Sequence, residues 1–130
     1  MEETSWIDPS LGPFKRWLLA TYRDSNGIMS TAIPGKKADL MFFAEGRIAG
    51  SGGCNRLMAS CNVVGNRMKI GPVASTLMFC SDPPEIMDQE ADYFKCLNAA
   101  ASYEVKDDVL LIYDEEARLL LKFDLDPDYP

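Results

Sequence analysis

Short runs of alternating apolar and polar side chains recur along this chain, and turn-forming residues separate them. Such a pattern of runs at ~8–12-residue spacing predicts an antiparallel sheet. The first strand is expected over Lys15–Tyr22, where Trp17 and Leu19 alternate with Leu18 and Ala20 and both faces are apolar. Asp24-Ser25-Asn26-Gly27 supplies a turn, because Asn-Gly readily takes positive φ. A short strand over Ile28–Ile33 and a turn at Pro34-Gly35-Lys36-Lys37 follow. Asp39–Phe43 and Arg47–Ser51 flank Glu45-Gly46 as a hairpin. Asn55–Val64 and Arg67–Ile70 flank Gly65-Asn66, and Gly71-Pro72 breaks the ladder. Val73–Cys80 is apolar and short, a strand or a buried irregular segment.

The period then changes. Asp82 suits a helix N-cap, Pro83 the first helical position and Glu85 a capping-box partner. Met87, Ala91, Phe94, Leu97 and Ala101 share one face at helical spacing, with Asp88, Gln89, Asp92 and Lys95 largely on the other. One helix is expected over Pro83–Ala99. Three strands end the pattern: Ser102–Lys106, Val109–Asp114 and Arg118–Phe123. The fold class is α+β, mainly β. It is a small antiparallel β-barrel, closed or incomplete, with one helix before the last three strands. Residues 1–13 read as a flexible or draped N-terminal arm, 14–124 as the domain and 125–130 as an acidic tail, with fraying expected from Asp124.

Composition narrows the chemistry. At 130 residues the chain can bury a core without staples. A net charge of −7 disfavours nucleic acid and anionic membrane over long range. No apolar run reaches the ~20 residues of a membrane helix. The chain has no histidine, so neither a Ser-His-Asp triad nor a Cys-His pair can be built within it. No leader is visible at the acidic start Met1-Glu2-Glu3-Thr4, so a cytoplasmic protein is expected, or an exported one if a leader has been removed.

The stretch from Gly50 to Cys80 carries the distinctive motifs. F-x-x-x-G-x-I-x-G-x-G-G-C-N from Phe42 to Asn55 runs into it, and it holds G-N-x-M-x-I-G-P from Gly65 to Pro72 and T-x-M-x-C from Thr76 to Cys80. With Trp17-Leu18 before them and a helix carrying an acidic residue and an aromatic after them, these motifs resemble the META domain family of HslJ-like heat-inducible proteins. The resemblance spans roughly Arg16 to Phe123. It implies a compact β-barrel-like fold, a stress- or envelope-associated setting, similarity to secretion pilot proteins with a lipid-binding groove, and no catalytic residue set. The chain departs from the family in lacking a lipobox cysteine and in having Ala59-Ser60-Cys61 where relatives show a glycine and an aromatic.

The resemblance places Cys54 and Cys80 at motif positions. In an oxidising compartment a disulfide between them would contribute about 3 kcal/mol by closing the intervening loop. In a reducing one they pack as small apolar side chains. Cys61 and Cys96 lie outside the motifs, and without a C-x-x-C pair a zinc site is not expected. Gly50, Gly52 and Gly53 lack the Lys-Ser/Thr of a phosphate loop and read instead as a bulge or close backbone crossing. Asn55 then satisfies backbone groups at that bend, or contacts a ligand. The pairs Asp107-Asp108 and Glu115-Glu116 read as solvated turns, and Asp124-Leu125-Asp126-Pro127-Asp128 does not make a calcium loop.

Met78, Phe79 and Phe94, with further methionines and Phe43, line a cavity between barrel and helix if an apolar ligand is bound; otherwise they are core. The expected function is a non-enzymatic, monomeric module that needs no cofactor or metal and binds a protein partner or an apolar small molecule. Two alternatives stand beside it. One is a structural or protein-interaction domain with a filled core and an exposed apolar patch. The other is a cysteine-dependent enzyme, which needs an exposed, acidified Cys54 or Cys80 beside a cation such as Arg56 or Lys95.

Overall fold

The computed structural model describes residues 8–35 and 37–129. Ten strands and one helix follow in chain order: β1 Trp17–Arg23, β2 Met29–Thr31, β3 Asp39–Phe43, β4 Arg47–Ser51, β5 Arg56–Val64, β6 Arg67–Ile70, β7 Ala74–Ser75, α1 Ile86–Asn98, β8 Ser102–Lys106, β9 Val109–Tyr113 and β10 Leu119–Leu125. Eight of the strands close an antiparallel barrel in the order β1-β3-β4-β5-β6-β8-β9-β10, with β10 returning to β1. β2 pairs with the far end of β1, and β7 pairs with β5 beyond the end of β6.

Period-two alternation selects what faces inward. Leu57 and Cys61 on β5, Met68 and Ile70 on β6, and Leu110 and Ile112 on β9 are buried while their neighbours turn outward. Two register shifts break the alternation. One falls between Leu19 and Thr21 on β1 and one between Leu119 and Leu121 on β10. The second lets the consecutive residues Leu120 and Leu121 both reach the interior. The core is filled by large side chains, among them Trp17, Phe42, Tyr93 and Phe123. Each such apolar burial contributes on the order of 1.5–3 kcal/mol.

The two closures of the barrel differ in extent. β1 and β10 pair over their length, from Trp17↔Leu125 to Tyr22↔Leu121. β6 and β8 share only the pair Arg67↔Ser102, with Met68 N–H to Ala101 O (3.0 Å) and Tyr103 N–H to Asn66 O (3.0 Å) beside it. Helix α1 packs against β1, β6 and β10 and sends Tyr93 and Leu97, both fully buried, into the core.

Four expectations differ from the structure. The helix starts at Ile86 rather than Pro83, with Glu85 as N-cap and no capping side chain. Pro83 and Pro84 instead sit in a turn closed by Ile86 N–H to Pro83 O (3.1 Å). The buried helix face is Ile86, Gln89, Glu90, Tyr93, Cys96 and Leu97, so it is rotated from the apolar stripe; Ala91 is exposed and Met87 and Phe94 half-buried. Apolarity alone misplaces this face because two of its residues are polar with internal partners. Val73–Cys80 forms a strand only over Ala74–Ser75, and Thr76–Phe79 is exposed rather than buried. Finally, the chain does not fray at Asp124: Asp124 and Leu125 pair with β1, and Asp126 N–H donates to Arg16 O at 2.8 Å. The first part of the N-terminal arm, residues 1–7, lies outside the described residues. Of the rest, Leu11 is fully buried and accepts the Trp17 indole N–H at 2.9 Å.

Candidate functional site

The Gly52–Asn55 bend, the Thr76–Cys80 segment and helix α1 meet at one buried knot. Asn55, 3% exposed, is its centre. Its Oδ1 accepts from Met78 N–H (2.7 Å) and from the Thr76 hydroxyl (2.8 Å). Its Nδ2 donates to Met78 O (3.0 Å) and to Glu90 Oε2 (2.7 Å). Glu90 Oε1 in turn accepts the backbone N–H groups of Asn55 (2.6 Å) and Cys54 (3.0 Å). A carboxylate buried in this way is tolerable because charge-assisted bonds replace its water.

Glycine makes the approach of the helix geometrically feasible. A Cβ on Gly52 would lie 2.5 Å from Glu90 Cγ and 2.9 Å from Phe94 Cε1. A Cβ on Gly53, at φ +110°, would lie 2.6 Å from Ile86 Cδ1. Next to the knot the sulfur atoms of Cys54 and Cys80 are at bonding distance, 2.04 Å, with their Cα atoms 6.0 Å apart. Gln89, also buried, accepts Ile33 N–H at 2.7 Å, while its Nε2 has no partner among the described residues.

The residues singled out from the sequence therefore separate. Asn55, Cys54 and Cys80 come together. Met78 joins the knot through its backbone, but its side chain is 55% exposed. Phe79 is 80% exposed, and Phe94 packs half-buried against Gly52 and Tyr93. Periodicity does not single out Glu90. The motif pattern asks only for an acidic residue on the helix and leaves its position open.

The other two thiols are chemically quiet. Burial pushes the Cys61 thiol up to about 12 and the Cys96 thiol up to about 11. Burial also drives the Tyr93 hydroxyl well above its usual range, and that hydroxyl donates to Asp39 O at 2.9 Å. Asp39 itself accepts from Arg16 Nε (2.6 Å) and Ser51 N–H (2.8 Å), while Arg16 also reaches Asp126 (3.1 Å). Among the described residues, no cluster of His, Cys, Asp or Glu could hold a metal. No described helix is long and apolar enough to cross a membrane.

An open groove lies on the outside of the barrel. It measures about 500 Å³ and runs over β3, β4, β5 and β7, with Met41, Phe43, Ala49 and Met58 as its apolar floor and Arg56 at its side. Leu77, Met78 and Phe79 follow directly on its Ala74–Thr76 wall and stand in solvent, Leu77 at 94% exposure. Under the helix the space is taken by Tyr93, Cys96 and Leu97.

Sequence and fold comparisons point the same way. The META domain profile matches residues 14–126. A protein from Burkholderia xenovorans solved by NMR superimposes with a TM-score of 0.68 at 21% identity, over 87% of this chain and 82% of that one. A second NMR structure aligns with a TM-score of 0.64 at 18% identity, over 92% of this chain and 95% of the other. A crystal structure of a DUF4847 family protein from Bacteroides vulgatus aligns at 0.59 and 17% identity, over 84% and 90% of the two chains. No curated protein matches the chain. At these identities the structural neighbours establish the shared fold.

Proposed function

Since the chain belongs to the META domain family, we propose that it acts as a non-enzymatic interaction module, with a filled core and a binding face on the outside of β3, β4, β5 and β7. The observation that carries this reading is the groove together with the solvent-exposed run Leu77–Phe79. Three consecutive large apolar side chains in water beside an apolar groove mark a surface made to be covered. Asn55 and Glu90 hold the base of that run, so the face is presented on a fixed support. Packing of the helix against the core by Tyr93 and Leu97 supports a surface partner over a ligand carried inside the barrel. Nucleophilic catalysis finds no support, because Cys61 and Cys96 are buried with raised thiol values and Cys54 and Cys80 are joined to each other.

The Cys54–Cys80 pairing supports a setting outside the reducing cytoplasm. The likeness to HslJ-like proteins supports a stress- or envelope-associated role there. Fractionation of the host before and after heat stress tests both. Recovery only from the cytoplasm, at a level that heat leaves unchanged, would remove this part of the reading.

Site-specific photocrosslinking in host cells tests the interaction reading. A crosslinker at Met58 or Leu77 is expected to yield a discrete protein adduct, and one at Lys106, on β8, is not. No adduct from either groove position would end the reading.

A further inference from the structure

Although the chain is acidic, exposed cations stand on the outer surface of the strands that carry the groove and of the strand beyond them. Outward positions on β4, β5 and β6 carry Arg47, Arg56, Arg67 and Lys69, all exposed. These are four of thirteen cationic side chains in a chain of net charge −7. None of the four makes an ion pair among the described residues. The acids near this face leave them unpaired. Asp39 is occupied by Arg16 and Ser51 N–H. Glu45 sits in the β3–β4 turn, and Glu115 lies across a shallow hollow from Arg67 and Lys69.

Register fixes how apolar and cationic groups alternate. Met41 pairs with Ala49, Ala49 with Met58, and Met58 with Ala74, which makes an apolar row across four strands. Arg56, opposite Ser51, stands two residues to one side of that row, and Arg47, opposite Ser60, stands two residues to the other. Along β5 this separation is four residues, or about 13 Å at the strand rise.

Building on the interaction reading above, we propose that this face binds an acidic segment of a partner protein in which two carboxylates about 13 Å apart flank an apolar side chain. In an extended chain the matching sequence is acidic-x-apolar-x-acidic, because strand spacing on the ligand repeats strand spacing on β5. The carboxylates meet Arg47 and Arg56, and the apolar side chain enters the groove at Ala49 and Met58. An anionic bilayer meets the same cations but has no group that fills a concave groove.

The test uses the full chain and a labelled short peptide carrying the unit Glu-x-Leu-x-Glu twice, followed by fluorescence anisotropy. A Gln-x-Leu-x-Gln peptide and phosphatidylglycerol vesicles are the comparisons. The Glu peptide is expected to bind saturably, about tenfold more tightly than the Gln peptide, and to weaken as salt rises. R47E combined with R56E should weaken it by about tenfold or more with an unchanged thermal midpoint, while K106E changes little. Should the double variant fail to fold, M58E provides the same test through the apolar contact. Binding of vesicles without binding of peptide, or peptide binding indifferent to these substitutions, overturns the proposal. A photocrosslinked protein partner without Glu-peptide binding overturns the acidic-segment proposal alone and leaves the interaction reading standing.

Discussion

Glu90 and Asn55 hold each other at two points: one carboxylate oxygen takes the Asn55 backbone N–H at 2.6 Å and the other takes its side-chain amide at 2.7 Å. The amide cannot turn over to suit a different partner, because its oxygen is already bound by Met78 N–H and the Thr76 hydroxyl. Glu90→Ala therefore leaves three donors without their acceptor, two of them buried, and we expect a loss of about 3 kcal/mol. Glu90→Gln keeps an acceptor for the backbone N–H groups but sets its NH2 against the Asn55 NH2, so its loss should be smaller. Urea unfolding of both variants measures the order. A loss under about 0.5 kcal/mol for Glu90→Ala would show that the knot does not support the fold.

Three glycines should form a graded series on substitution by alanine. Gly65 has φ +60° and open space around its Cβ position, so only backbone strain is added, about 1 kcal/mol. At Gly52 the new methyl meets Glu90 at 2.5 Å and must push the helix, at about 1–3 kcal/mol. At Gly50 it meets the backbone oxygen of Asp39 at 2.2 Å, which has no rotamer to escape into. The expected order of loss is Gly65, Gly52, Gly50, read from thermal midpoints. A Gly50 variant as stable as the Gly65 variant would contradict the close β3–β4 crossing.

How far the sequence shows this arrangement follows from what each signal measures. Alternation and turn residues locate the barrel strands Asp39–Phe43, Arg47–Ser51 and Ser102–Lys106, because side-chain period and strand geometry are the same fact. The glycine run is legible as a close crossing because no other residue type allows one. Helix orientation is not legible from apolar spacing, since Gln89 and Glu90 are buried through hydrogen bonds that hydrophobicity does not register. Leu77 and Phe79 mislead for the opposite reason. They are apolar, yet Asn55 takes the backbone groups of Met78 between them and turns the segment off the sheet into solvent.

Four cysteines should report as two kinds. In denaturant without reductant, protein isolated from an oxidising compartment is expected to be two hydrogens lighter than the all-thiol mass, with Cys54 and Cys80 in one crosslinked peptide. Native protein should leave Cys61 and Cys96 unalkylated by iodoacetamide at pH 8, because burial raises both thiols to about 12 and about 11. Rapid native labelling of either would show that the barrel interior opens readily.

Acid should weaken the fold through carboxylates held below their ordinary range. At Asp114 burial raises the carboxyl, but the Arg118 backbone N–H and guanidinium and the Glu116 N–H together outweigh it, so the folded value is lowered. A depressed folded value stabilises the protein above the unfolded value, near 4, and that contribution is lost as pH falls through the folded one. Asp114→Asn should therefore flatten the decline of stability between about pH 5 and pH 2. An acid titration as steep as that of the wild type would assign the decline to other carboxylates.

The barrel's long seam joins β1 to β10, and the Arg16–Asp126 contact at its end spans 110 residues of chain. During synthesis β1 leaves the ribosome with one of its two edges awaiting a partner made after every other strand of the barrel. Until β10 emerges, Trp17 and Leu19 have no completed interior to enter, and the nascent chain is an open, curling sheet with a sticky border. Closure is then a late, long-range event, slow by the measure of contact order and dependent on protection of that border while it waits.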